Sequence, residues 1–347
     1  MKSETLLILN PASGRGSAGR LAEGLVARAE VHCGPLSVAT TAGPGDAIGL
    51  AAEAAARGVA RILVAGGDGT VGEVVSGLMT APGPAAGAAT GAASRPALGI
   101  LPVGSGCDLA RTLALPRQID AALEVIAAGH LRLLDVGRVE SGGRGADRSV
   151  RYFANEVSAG LSSDTVRRVD RLSPRLGPRA GFLLGAVSAV LSHRPFEASV
   201  EVDGERIHAG PISLFVAANG CYFGAGMRVA PEAALDDGRL EVVLARGLSR
   251  PELLANLPAF YVGRHGRHPQ VSFHSARSVR LIPETDETTA EIDGEGGLAL
   301  PLRIECLPAA LRVLSPAVTV PLAQGRVVAL RPAARLVAPV ALGRDRG

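Results

Sequence analysis

The chain has 347 residues, a formal net charge of +3 and 47% hydrophobic residues, enough to bury two sizeable cores and too apolar for a disordered chain. So small a positive charge, with no Trp and 3% aromatic residues, excludes nucleic acid as an implied partner. The four cysteines, Cys33, Cys107, Cys221 and Cys306, lack Cys-x-x-Cys spacing, which excludes a disulfide framework and a zinc cluster and fits the reducing cytoplasm.

The opening Thr5–Leu9 is too short an apolar run for a signal peptide and reads as a first strand. Continuous apolar runs follow at Leu36–Thr40, Arg61–Ala65 and Ala97–Leu101, separated by stretches of helical character at Ser17–Glu30, Asp46–Arg57 and Val71–Thr80. Strands that are hydrophobic on both faces and alternate with helices predict a parallel sheet covered on both sides, so residues 1–130 read as an α/β domain. Residues Ala81–Pro96, rich in Ala, Gly, Pro and Ser, read as a loop. From Leu131 shorter strands take over, at Leu131–Val139, Val150–Asn155, Glu197–Asp203, Pro211–Ala217, Leu240–Leu244, Val279–Ile282 and Leu302–Cys306. Asp203-Gly204, Asp237-Gly238 and Asp293-Gly294 punctuate them as turns. Residues 131–314 are therefore expected to form a mainly antiparallel β-sandwich. A helix near Ala180–Leu191 interrupts it and falls short of the ~20 residues needed to cross a bilayer. The tail, residues 315–347, has no clear period and is expected to pack back on the first domain or fray.

Three polar turns follow strands of the first half: Asn10-Pro11-Ala12-Ser13-Gly14-Arg15-Gly16, Gly66-Gly67-Asp68-Gly69-Thr70-Val71-Gly72-Glu73 and Pro102-Val103-Gly104-Ser105-Gly106-Cys107-Asp108. Each offers backbone N–H groups that can crowd against phosphate oxygens, with a hydroxyl from Ser13, Thr70 or Ser105 and a cation from Arg15. Ligands of parallel sheets bind at the carboxyl ends of the strands, where these turns lie. Asp68 is the informative residue. A bare carboxylate repels phosphate, so its presence implies a divalent cation between them or a hydroxyl for it to act on. Gly67, Gly69 and Gly72 match Gly-x-Gly-x-x-Gly, yet they follow the third strand, and no acid occurs between Glu73 and Asp108. That removes the dinucleotide-binding fingerprint, and no Gly-x-x-x-x-Gly-Lys-Ser/Thr occurs either.

Asn10-Pro11-x-Ser13-Gly14, Gly66-Gly67-Asp68-Gly69-Thr70 and Gly104-Ser105-Gly106, in this order, resemble the diacylglycerol kinase catalytic domain shared by bacterial lipid kinases, sphingosine kinases and ceramide kinases. The resemblance continues through Tyr152-Phe153-x-Asn155, Asn219-Gly220, Gly224-x-Gly226-Met227, Pro231-x-Ala233-x-Leu235-Asp236-Asp237-Gly238 and Asp293-Gly294-Glu295, and spans roughly residues 5 to 310. It implies ATP in an interdomain cleft, near Asn10, Ser13, Arg15, Thr41, Glu73, Gly104 and Ser105, with Gly66, Gly67, Asp68, Gly69, Thr70, Val71 and Gly72 at its phosphates. It further implies catalytic Mg2+ at Asp68, a structural Mg2+ held by Asp237 with the carbonyls of Ala234 and Arg239, and Glu295 as general base. Oxygen ligands of this hard type suit magnesium. One departure is Cys107, where the family carries Asn. A thiol hydrogen-bonds weakly, so nucleotide affinity or efficiency is expected to suffer.

Arg167, Arg168, Arg171, Arg175 and Arg179, ahead of the apolar Ala180–Leu191, read first as a solvated face and second as a contact for an anionic bilayer. His193, His208 and His265 read as surface or loop residues. The expected function is an ATP- and Mg2+-dependent lipid kinase of the cytoplasm, peripheral to the inner face of the membrane, with diacylglycerol as first choice of acceptor and a homodimer compatible with the family. Two alternatives stand beside it: a kinase for a soluble polyol or nucleotide, and a nucleotide-binding regulator without turnover.

Overall fold

β1 (Thr5–Leu9) is apolar beyond its first residue and buried along its whole length, because helices cover both of its faces. It pairs in parallel with β2 (Ser37–Thr40) and β3 (Arg61–Gly66), and β3 with β4 (Ala97–Pro102), in the order β2-β1-β3-β4. Side chains alternate across a strand, which splits the core in two. Leu6, Ile8, Ile62, Val64, Leu98 and Ile100 meet α3 (Asp46–Ala56) and α4 (Asp68–Thr80). Leu7, Leu9, Leu63, Ala65 and Leu101 meet α2 (Ala22–Cys33) and α6 (Ile119–Ala128). Each such fully buried Leu or Ile contributes about 1.5–3 kcal/mol, so continuous apolar strands are what a doubly covered sheet selects. The helix expected at Ser17–Glu30 is two helices, α1 (Ser13–Arg20) and α2, joined at Leu21.

The computed structural model describes residues 4–81, 92, 95–142, 149–162, 178–285, 288–317, 319–321 and 327–329. Most of the Ala81–Pro96 segment, Arg167, Arg168, Arg171 and Arg175 of the basic run, the side chain of Arg179, and most of the tail lie outside the described residues. The chain divides into a unit ending at Ser315 and a second, Pro316–Gly347, in which Thr319–Pro321 pairs antiparallel with Val327–Ala329.

The second layer contains β5 (Leu131–Ser141), β6 (Ser149–Phe153), β7 (Glu156–Gly160), β8 (Phe196–Val202), β9 (Glu205–Ala218), β10 (Leu240–Arg246), β11 (Val271–Ala276), β12 (Ser278–Pro283), β13 (Thr289–Ile292), β14 (Glu295–Ala299) and β15 (Leu302–Leu314). Its pairings are antiparallel and run β14-β13-β7-β9-β8-β12-β15, with β10 also on β9 and β5 also on β15. Asp203-Gly204 and Asp293-Gly294 close the β8–β9 and β13–β14 hairpins with positive φ at both residues (49° and 90°, 47° and 84°), as two-residue hairpin turns require. Val157, Ala159, Phe215, Ala217, Ala290 and Ile292 fill a sandwich core. The opposite face packs Leu214, Val216 and Ala218 against α7 (Pro178–Ser192) and α8 (Arg250–Val262) through Val190, Leu253 and Phe260.

β15 runs eight residues beyond the expected end at Cys306. Pairing with β5 slips between Leu307 and Leu311, where Ala309 has φ 49°, and the strand resumes. Leu311 and Val313 then enter the first layer's core, and Val313 pairs in parallel with Leu98 of β4. The parallel and antiparallel layers are thus one continuous sheet. His265 departs from expectation, while His193 lies in a loop as expected. His193 is buried, and His265 is fully buried, stacked 4.2 Å from Phe260 with Nε2 2.9 Å from the Val229 carbonyl. Burial pushes its pKa down, so it remains a neutral packing residue. Among the described residues no helix is long and apolar enough to cross a membrane.

Candidate active site

The three turns meet at the carboxyl edge of the parallel strands. In the first, Gly14, Arg15 and Gly16 all have positive φ (57°, 61° and 75°), and a β-carbon on Gly14 would strike the Val103 carbonyl of the third turn. Asn10 crosses to the second turn, its Nδ2 donating to Thr70 Oγ1 at 2.8 Å, while its Oδ1 accepts the Ala12 N–H at 3.0 Å. The third turn closes on the second through the Gly104 N–H and the Gly66 carbonyl at 3.2 Å, and Gly104 lies so near Gly67 that no side chain fits between them. Thr41, buried at the end of β2, is tied to β1 through its N–H and the Leu9 carbonyl. Ser105 and Arg15 are exposed and Ser13 half-buried. Cys107 is buried with φ 53°, and its Sγ donates to the Gly104 carbonyl at 3.3 Å. The thiol in place of Asn therefore still closes this turn. Arg117 braces it from behind, donating to the Gly104 and Gly106 carbonyls at 3.3 and 3.1 Å.

α4 begins at Asp68 with Gly67 as an extended N-cap and no capping side chain, so its first N–H groups are turned toward the edge, where an anion is favoured. Asp68 Oδ1 accepts the N–H groups of Asp108 and Leu109 at 2.7 and 3.1 Å, joining the second turn to α5 (Asp108–Thr112). The last part of the glycine run does other work. Val71 points into the core, a β-carbon on Gly72 would stand 2.7 Å from Asp293 Oδ2, and Glu73 accepts the Gly45 and Ala47 N–H groups at the start of α3 at 2.7 and 3.1 Å. The helical rotation of α4 thus directs the Val71 side chain and the Glu73 carboxylate away from the turn.

The β13–β14 turn brings acids to the same helix. Asp293 is buried and accepts the N–H groups of Ala154, Asn155 and Glu156 at 3.2, 3.1 and 2.9 Å. Glu295, half-buried, lies over the first turn of α4, where a β-carbon on Gly69 would stand 3.0 Å from its Oε1. Desolvation and then the adjacent Glu73 push its carboxyl up to about 7, against the opposing pull of Arg151, whose Nη2 is 3.7 Å from Oε2. A carboxyl poised near neutrality beside an uncapped helix N-terminus can accept a proton from an alcohol.

With that geometry in place, residues 4–139 match the family model of the diacylglycerol kinase catalytic domain, and residues 155–315 that of the YegS C-terminal NAD kinase beta sandwich-like domain. A diacylglycerol kinase of Mycobacterium tuberculosis is 30% identical over 312 residues, 89% of this chain and 94% of that protein. The chain belongs to the diacylglycerol kinase family. A probable lipid kinase YegS-like protein of Chromohalobacter salexigens is 34% identical over 321 residues, 90% of this chain and 93% of that protein. The crystal structure of a putative diacylglycerol kinase from Bacillus anthracis superposes with a TM-score of 0.70 at 26% identity, covering 91% of this chain and 99% of that one. The chain is accordingly a kinase, built as the diacylglycerol kinase family is built.

Whether this diacylglycerol kinase relative can hold the magnesium that the sequence resemblance implies depends on its donors. Among the described residues no three His, Cys, Asp or Glu side chains are gathered to hold a metal by themselves. Magnesium needs less from the protein, one or two carboxylates completed by water and phosphate oxygens. Asp68 suits that requirement, because its Oδ1 is fixed by two backbone donors while Oδ2 faces the Gly106 turn, 2.9 Å from where a β-carbon would stand. At the other site Asp237 is exposed, and its Oδ1 accepts the Arg239 N–H at 2.9 Å. Asp135, which sequence reasoning missed, lies beneath this turn. Its buried carboxylate accepts the Gly238 and Ala309 N–H groups at 2.6 and 2.8 Å, and its own N–H donates to the Leu235 carbonyl. A carboxylate with backbone carbonyls, the set the resemblance implies at Asp237, Ala234 and Arg239, is of the kind magnesium takes. The missed signal was an acid inside an apolar strand, Leu133-Leu134-Asp135-Val136. Arg117 and Arg151 carried no such signal.

Proposed function

We propose that this kinase transfers the γ-phosphoryl group of ATP to the hydroxyl of a lipid alcohol, diacylglycerol, giving phosphatidic acid. The observation that carries this reading is Glu295 over Gly69, a proton acceptor from the β layer seated on the helix end that faces the phosphate turns. In the proposed mechanism the N–H groups of Gly67, Asp68, Gly69 and Thr70, with the Gly104–Gly106 turn, Ser13, Ser105 and Arg15, bind and orient the polyphosphate. Asp68 is the side chain that would hold the catalytic Mg2+, whose chemistry is to neutralise phosphate oxygens, and Asp237 with the Ala234 and Arg239 carbonyls would hold the structural ion. Glu295 takes the proton from the acceptor hydroxyl as that oxygen bonds to the γ-phosphorus and the bond to the bridging oxygen breaks, ADP leaving. Thr41 closes the nucleotide side. A lipid acceptor is supported by the names of the M. tuberculosis and C. salexigens relatives. Contact with the inner face of the membrane is supported by Leu184 and Leu191, exposed two helical turns apart on one side of α7.

The test is incubation of the purified protein with ATP, Mg2+ and vesicles containing diacylglycerol, in parallel with glycerol, soluble polyols and NAD, followed by mass spectrometry. Phosphatidic acid formed in the vesicle arm is the expected result. Phosphorylation confined to a soluble alcohol overturns the choice of acceptor, and ATP binding with no product in any arm overturns the catalytic reading.

A further inference from the structure

Behind the Asp293–Glu295 turn, the β7–β13 pair carries two buried acids. The register sets Ser158 opposite Glu291 and Val157 opposite Ile292. Because successive side chains alternate, Val157 and Ile292 enter the sandwich core, while Glu156, Ser158 and Glu291 project to the other face, beside Val216 and Ala218 of β9. All three are buried, Ser158 and Glu291 at 0% exposure. Ser158 Oγ donates to Glu291 Oε1 at 2.9 Å and stands within reach of the Glu156 carboxyl, whose Oε2 is buried without a hydrogen-bond partner. The charges that bear on Glu156 are acidic: Glu291 on β13, Asp293 in the turn, and Asp108 at the start of α5, itself paired with Arg111. Two carboxyls so placed do not both ionise, and burial followed by these neighbours pushes Glu156 well above the usual carboxylate range. Glu156 is also locked to the turn through its backbone. The Asp293 N–H donates to the Glu156 carbonyl at 3.0 Å, and the Glu156 N–H donates to Asp293 Oδ1 at 2.9 Å.

We propose that Glu156 and Glu291, bridged through Ser158 and sharing a retained proton, are positioning residues that hold β7 against β13 and so seat Asp293 on Gly72 and Glu295 on Gly69. The inference rests on the reading of Glu295 as the base. Loss of the shared proton at alkaline pH sets two anions side by side across the strand pair, unseats the turn and lowers turnover, while the nucleotide turns, in the other layer, are left in place.

The experiment compares wild type with Glu156→Gln and Glu156→Ala, recording thermal unfolding and the kcat profile between about pH 6 and 9. A group whose folded pKa is raised lends stability below its unfolded value, and that stability is lost as pH climbs toward the folded value. Gln replaces the protonated carboxyl by a neutral amide, so the Tm of Glu156→Gln should gain on wild type as pH rises. Its kcat at pH 7 should stay within about threefold of wild type and persist at alkaline pH where wild type declines, whereas Glu156→Ala should lose about tenfold in kcat with KM for ATP little changed. A Tm difference that does not vary with pH overturns the proposal, as does a Glu156→Gln defect as deep as that of Glu295→Gln. The unfolding arm needs no substrate, so it stands whichever acceptor the kinase uses and whether or not Glu295 proves to be the base.

Discussion

The two walls of the site are built on opposite plans. The phosphate wall comes from three contiguous segments, each following a strand of one parallel layer, and its working groups are mostly backbone N–H donors made accessible by glycine. The acid wall is collected from β6, β7 and the β13–β14 turn, residues that lie more than a hundred positions apart, and its working groups are side chains whose protonation is set by burial. A wall of backbone donors tolerates side-chain change as long as the turns keep their shape, as Cys107 shows by closing its turn through Sγ. A wall of buried carboxyls depends on the register of its strands and on the charge of every neighbour.

Substitutions can set the two walls against each other. Glu295→Gln should produce the largest change, a fall in kcat of about 10²–10⁴-fold, with ATP binding by calorimetry nearly unaltered; loss of ATP affinity would show that the acid wall also holds nucleotide. Asp68→Asn keeps an acceptor for the Asp108 and Leu109 N–H groups. It should nevertheless cost about 10²-fold in turnover and raise the Mg2+ concentration needed for half-maximal rate, and unchanged activity would remove Asp68 from the mechanism. Gly72→Ala places a β-carbon 2.7 Å from Asp293 Oδ2. Overpacking there should lower stability by about 1–3 kcal/mol, read by denaturant unfolding; a neutral result would mean that the layers can part at this contact without loss.

The pH dependence separates the walls without removing either. As the proposed base, Glu295 would work as the anion, so kcat/KM should climb as pH rises through about 7, where its carboxyl loses the proton. Because the Glu73 carboxylate raises that value and Arg151 lowers it, Glu73→Gln should move the acid limb to lower pH and Arg151→Met to higher pH. Limbs that stay fixed in both variants would assign the titration to another group. The smallest effect belongs to Arg117→Ala, which removes two hydrogen bonds from the back of the Gly104–Gly106 turn. A few-fold rise in KM for ATP is expected, from about 1 kcal/mol, with kcat little changed.

The same contrast explains what could be read from the amino-acid order. β1 begins and ends where the apolar run does, and Asp68 and Glu295 stand in short motifs. Where the Val71 and Glu73 side chains point could not be read from the motif, because adjacency in sequence is not adjacency on a helix, where successive side chains turn by about 100°. Glu156 and Glu291 become neighbours only when β7 pairs with β13, a long-range register that local pattern does not encode. The start of α8 was legible and unread: Ser249-Arg250-Pro251-Glu252 is a capping box with Pro in the first turn, and the Ser249 N–H donates to Glu252 at 2.8 Å. Asp135 needed β5 to be seen as a buried strand before its charge looked out of place.

The parallel pairing of Val313 with Leu98 carries a consequence for synthesis. The ribosome releases β1 to β4 first, yet the neighbour that covers the outer edge of β4 is nearly the last segment of this unit to emerge. For most of translation the nascent first layer presents an open strand edge, the kind of surface that recruits wrong partners. A chain ended within the β layer is therefore expected to leave that edge of β4 unpaired.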